Sequence, residues 1–94
     1  MRHVVYTLKC KDGTYYTGYT NDLERRLKAH EDGKGAKYTR GRGPFELVRE
    51  VEYETKSDAM QAEYEFKRLT RRQKEALIAE EAGGNEHVDS AKLS

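Results

Sequence analysis

Val4-Val5-Tyr6-Thr7-Leu8, then Lys11-Asp12-Gly13, then Tyr15-Tyr16-Thr17-Gly18-Tyr19-Thr20 decide the fold. The first and last runs are β-branched and aromatic, the composition of strands. The turn between them ends in a glycine, which accepts the positive φ of a tight hairpin. Two registers are open. A two-residue Asp12-Gly13 turn pairs Tyr6 with Tyr19 and sends Tyr16 to the opposite face. A three-residue Lys11-Asp12-Gly13 loop with a bulge at Gly13 pairs Tyr6 with Gly18 and puts Tyr16 beside Tyr6.

Outward from the hairpin, Asn21 stands three residues before Glu24, a capping-box-like start for a helix running to about Glu31 and stopping near Gly33. Four glycines between Gly33 and Gly43 alternate with Lys34, Lys37, Arg40 and Arg42, so this stretch is a loop with at most one helical turn around Lys37-Tyr38-Thr39. Phe45, Leu47, Val51 and Tyr53 are expected on one face of a third strand, with Glu46, Glu50 and Glu52 on the other. Ser57 is the expected cap of a helix from Asp58 to about Leu69, and Thr70 with Gln73 caps a last one carrying Leu77 and Ile78. From Gly83-Gly84 the residues are small, polar and patternless, which places a domain at 1–82 and a flexible tail at 83–94. The expected architecture is α+β, a small three-stranded antiparallel sheet flanked by helices.

Ninety-four residues allow one domain with a modest core, and 37% are charged against 35% apolar. Single Cys10 forms no internal disulfide and has no cysteine partners for a zinc cluster. A cytoplasmic setting follows as the default, with no membrane span or signal peptide. Net charge is +1, but residues 1–43 hold ten Lys/Arg against five Asp/Glu, whereas residues 44–78 hold seven against eight. The front half is where a polyanion would dock.

Three placements bear on chemistry. Leu23 and Leu27 are one helical turn apart and point inward. Arg26 and His30 share that broad face while Arg25 points away. A purely structural account has Arg26 snorkelling or pairing with a carboxylate, and His30 as a satisfied histidine. On the later helix Ala59, Ala62 and Phe66 form the inward stripe with Glu63 inside it. A carboxylate there needs a cation, which Arg26 or a divalent ion could supply. Gly18 within a strand marks close approach of a ligand or another backbone.

Val4-Val5-Tyr6, then Tyr16-Thr17-Gly18, then Arg26, His30 and Glu63 in that order resemble the GIY-YIG nuclease family, in particular its small stand-alone bacterial members. The resemblance covers roughly residues 3–80. It extends to Gly35-Ala36-Lys37-Tyr38-Thr39-Arg40-Gly41 and to Glu63, Lys67, Lys74 and Leu77-Ile78. Val4 stands where the first motif has Gly, and Thr17 where the second has Ile. The resemblance implies a metal-dependent endonuclease that hydrolyses phosphodiester bonds with one Mg²⁺ or Mn²⁺ ion. In that scheme Tyr6 lies beside the attacking water, Tyr16 contacts the scissile phosphate, Arg26 stabilises the transition state, His30 assists proton transfer or phosphate contact, and Glu63 holds the metal. It also implies the register that puts Tyr16 on the face of Tyr6.

The implied partner is nucleic acid, DNA ahead of RNA, with a protein partner as one source of specificity. Lys34, Lys37, Arg40 and Arg42 are the expected phosphate contacts, against the alternative of a flexible solvated loop. The rival functions are a nucleic-acid-binding module that keeps the fold without cleaving, and a bare interaction domain.

Overall fold

A computed structural model describes residues 2–36 and 39–87, the last seven by backbone alone. The elements run β1 (His3–Lys9), β2 (Tyr15–Thr20), α1 (Leu23–Glu31), β3 (Glu46–Tyr53), α2 (Lys56–Lys67) and α3 (Arg71–His87). The strands form one antiparallel sheet in the order β2-β1-β3. This is the α+β architecture expected from the sequence.

The hairpin adopts the three-residue loop. Cys10 N–H donates to Thr14 O at 2.8 Å, Gly13 N–H to Cys10 O at 2.9 Å, and Gly13 takes φ +86°. Tyr6 is therefore opposite Gly18, and Leu8 opposite Tyr16. Val4, Tyr6, Leu8 and Tyr16 share one face, while Val5, Thr7, Tyr15 and Thr17 share the other.

β1 is the central strand, and Val4 to Leu8 are buried without interruption. A run buried at every position requires cover on both faces. On the Tyr6 face, α1 delivers Leu23 and Leu27 to a cluster with Val4, Tyr6, Leu8, Tyr16 and Phe45. On the other, α2 buries Ala59 and Phe66, with the Phe66 ring 4.6 Å beneath the Arg49 guanidinium. Thr7 and Thr17, opposite each other on that face, join hydroxyls at 2.9 Å.

Several local expectations are corrected. Asp22, not Asn21, caps α1, accepting the Arg25 N–H at 3.3 Å. Thr55, not Ser57, caps α2, accepting the Asp58 N–H at 3.0 Å, so that helix starts two residues early. Thr70 and Gln73 do form the reciprocal capping box, at 2.9 and 3.2 Å. In β3 a bulge falls where Thr7 faces Arg49 but Leu8 faces Leu47. One extra residue reverses the alternation, so Leu47 lies on the face of Glu50 and Glu52, while Glu46 joins that of Val51 and Tyr53. The α3 backbone runs to His87, and the rest of the tail expected at 83–94, residues 88–94, lies outside the described residues.

Candidate active site

α1 crosses the Tyr6 face so that two polar side chains, Arg26 and His30, enter an otherwise apolar layer. Arg26 Nε donates to the Tyr6 hydroxyl at 3.2 Å, and that hydroxyl lies 2.7 Å from His30 Nε2. On the far side of the ring, His30 Nδ1 lies 2.8 Å from Thr39 Oγ1, whose own proton goes to Ala36 O at 3.1 Å. A hydroxyl has one proton to give, so Thr39 must accept from Nδ1–H. The network thereby assigns the tautomer: Nε2 keeps its lone pair and accepts the Tyr6 proton. The resulting chain runs from Arg26 to Tyr6 to His30, and from His30 to Thr39 to Ala36.

Two glycines make this geometry possible. A Cβ on Gly18 would sit 2.8 Å from the Tyr6 hydroxyl and 3.0 Å from the Tyr16 ring. The close approach inferred at Gly18 is thus made by Tyr6. A Cβ on Gly35 would stand 2.3 Å from His30 Nδ1, although Gly35 has no positive φ. It is needed for space alone. The Tyr16 ring, 5.2 Å from His30 and 6.2 Å from Tyr6, completes an aromatic cluster, with Phe45 6.0 Å from His30.

Burial sets the protonation states. It pushes the Tyr6 phenol up to about 12, partly offset by the Arg26 hydrogen bond, so Tyr6 rests as the neutral phenol. His30 is 1% exposed, and burial followed by the Arg26 charge lowers its pKa, which keeps the imidazole neutral. The hydrogen bond to Tyr6 holds Arg26 firmly charged. The structure thus brings Tyr6, Tyr16, Arg26 and His30 together, and Arg25 is exposed as expected.

Glu63 stands elsewhere. It belongs to α2, on the opposite face of the sheet, with a side chain only 12% exposed and Lys67 Nζ 2.9 Å from its carboxylate. The ion pair with Arg26 allowed by the sequence is replaced by this i,i+4 pair. Among the described residues no group of three or more His, Cys, Asp and Glu side chains could hold a metal. One carboxylate does not make a zinc or calcium cage. It does suit Mg²⁺ or Mn²⁺, which take hard oxygen ligands and keep several waters.

Of the basic loop, Lys34 and Arg40 are exposed, Arg42 is ion-paired with Asp12, and Lys37 lies outside the described residues. Two clefts flank β2. One, of about 380 Å³, is lined by Thr20, Asn21, Asp22, Arg25, Arg26 and Ala29. The other, of about 300 Å³, is lined by Tyr15, Tyr16, Thr17, Lys67 and Lys74. Thr39 and Gly35 entered the sequence reading only as part of the loop's resemblance, and their contact with His30 was not readable because neither lies on a periodic element. Lys67 had a readable signal in its four-residue spacing from Glu63.

A model of the GIY-YIG catalytic domain matches residues 2–76. The UPF0213 protein BH0048 of Halalkalibacterium halodurans is 55% identical over 94 residues, covering 100% of this chain and 98% of that one. The solution NMR structure of BH0048 superimposes with a TM-score of 0.61 over the same shares of each chain. The solution NMR structure of protein EF2693 from E. faecalis, 40% identical, gives 0.60 over 87% of this chain and 88% of that one. No helix among the described residues is long and apolar enough to cross a membrane. The chain belongs to the GIY-YIG catalytic-domain family and is similar along its whole length to a small UPF0213 protein.

Proposed function

We propose that this domain binds nucleic acid across the β2 edge and hydrolyses a phosphodiester bond there with the help of one Mg²⁺ or Mn²⁺ ion. The observation that carries hydrolysis is the hydrogen-bonded chain from Arg26 through Tyr6 to a neutral His30. A packing role alone does not require a histidine with its tautomer pinned and its lone pair aimed at a phenol.

Tyr6 has no exposed surface, and Arg26 and Tyr16 cover its hydroxyl. A phosphate is the stronger acceptor for a guanidinium, so a bound phosphodiester draws Arg26 from Tyr6 and opens the hydroxyl to water. The attacking water then gives a proton to the Tyr6 oxygen as Tyr6 passes its own to His30 Nε2. A phenol held near 12 is a poor base by itself, and the imidazole supplies the missing acceptor. Arg26, released from Tyr6, offers its planar fork to the charge developing on the phosphoryl oxygens. Tyr16 orients the same phosphate. Glu63 would hold the ion from the other side of β2, and a bound ion supplies charge neutralisation at the leaving oxygen.

Binding without cleavage is the second reading, and specific observations favour it. Glu63 is held by Lys67, and Tyr6 is fully covered. Labelled branched, duplex and single-stranded substrates incubated with Mg²⁺ or Mn²⁺ separate the two. The proposal expects cleavage by the parent, lost in Tyr6→Phe while binding persists. Tight binding with no cleavage of any substrate would establish the second reading.

A further inference from the structure

The sum of charge over residues 44–78 conceals a cluster. Lys67-Arg68-Leu69-Thr70-Arg71-Arg72-Gln73-Lys74 carries five cations in eight residues and no carboxylate. The end of α2, the connection and the start of α3 gather this charge into one corner of the molecule. Packing orients the corner toward the hairpin: Arg71 Nη2 donates to Gly13 O at 2.7 Å, and its guanidinium sits 4.8 Å over the Tyr15 ring.

The cations differ in what already occupies them. Lys67 is paired with Glu63, and Arg71 Nε with Glu75 at 2.9 Å. Arg72 and Lys74 have no carboxylate partner among the described residues. Arg72 is exposed, and the Lys74 ammonium lies 5.8 Å over Phe66 at the rim of the cleft it shares with Tyr15, Tyr16, Thr17 and Lys67. Tyr16 is common to this cleft and to the aromatic cluster around His30. The corner is thus continuous with the candidate active site around β2, a strand whose outer edge is unpaired within the sheet.

We propose that the α2–α3 corner is a backbone-binding surface for nucleic acid, with Arg72 and Lys74 contacting phosphates that flank the one engaged at Tyr16 and Arg26. This rests on the proposed nucleic-acid function and adds where the strand runs. Lys and Arg tips that approach phosphate from a helix end read no bases, so the surface is indifferent to sequence. The cleft that Lys67 and Lys74 line would seat one of these phosphates.

The test measures binding of a fluorescein-labelled 20-nucleotide single strand, and of its duplex, by anisotropy in EDTA at several salt concentrations. Arg72→Gln with Lys74→Gln removes two charges and keeps most of each stem, so packing over Phe66 and the fold survive; circular dichroism checks this. Each phosphate contact contributes roughly 0.7–0.9 to the slope of log K against log salt, so the double variant should lose about 1.5 units and bind more weakly at every concentration. If the parent binds and the folded variant matches it in slope and affinity, the corner is not the surface, while the nucleic-acid reading stands. Failure of the parent to bind either oligonucleotide at low salt would remove both.

Discussion

Thr39→Val tests the hydrogen-bond chain where it is least replaceable. His30 is 1% exposed, so no bulk water can take over a lost partner. Valine keeps the shape of threonine but neither donates nor accepts. If His30 keeps its proton on Nδ1, that N–H faces a methyl group. If the proton moves to Nε2, the Nδ1 lone pair is orphaned, and the Tyr6 hydroxyl receives donors from both Arg26 and His30 while losing the acceptor for its own proton. Either tautomer leaves buried polar groups unsatisfied, at a cost of about 2 kcal/mol within a range of about 1–3. For a domain of this size that corresponds to a fall in Tm of roughly 8–16 °C. Urea and thermal unfolding measure the loss, and ¹⁵N shifts of the His30 ring report the tautomer, Nδ1–H in the parent. Thr39→Ser, which keeps the hydroxyl, should retain the parent tautomer. A Thr39→Val protein within about 0.5 kcal/mol of the parent, with an unchanged ring spectrum, would refute the reasoning behind that cost.

Gly18→Ala forces a methyl against the Tyr6 hydroxyl and the Tyr16 ring, so cleavage should fall at least tenfold in a protein that still folds; an unimpaired rate would show that the two tyrosines need no such fit. Stability should decline as pH drops below about 6.5, because unfolded His30 takes up a proton there and the buried one does not, with a slope approaching about 1.4 kcal/mol per pH unit. His30→Gln should lose that contribution, and an unaltered pH profile in it would place the titration elsewhere. Arg26→Lys should slow cleavage on the order of a hundredfold and more than Arg25→Ala does, since a point charge cannot replace a planar fork; the reverse order would overturn the helical phase.

The hairpin and α1 were legible because each follows a short rule. Gly13 accepts the positive φ, and Leu23, Leu27, Arg26 and His30 recur at helical spacing. Caps were less legible: Asn21 and Asp22 are adjacent, Thr55 and Ser57 stand two residues apart, and tertiary packing chooses between them. The β3 bulge leaves no local mark, so every face assignment beyond it reversed. For Glu63 the sequence reading offered Arg26 or a divalent ion and passed over Lys67, one helical turn away, which forms the pair. The pinning of His30 by Thr39 and Gly35 joins a helix to an aperiodic loop, which no repeat in the sequence announces. Summing charge over long segments hid Lys67 to Lys74 behind the glutamates of β3 and α2.

The most direct measurement is the Mg²⁺-dependent single-turnover cleavage rate of the parent beside Glu63→Gln, on a substrate both bind to saturation. Glutamine fills the same volume and cannot neutralise a divalent ion. The account predicts a rate in the parent that rises with Mg²⁺, and no detectable cleavage in the variant, with binding and fold intact. Cleavage by Glu63→Gln at the parent rate would contradict it, reducing Glu63 to the ion-pair partner of Lys67.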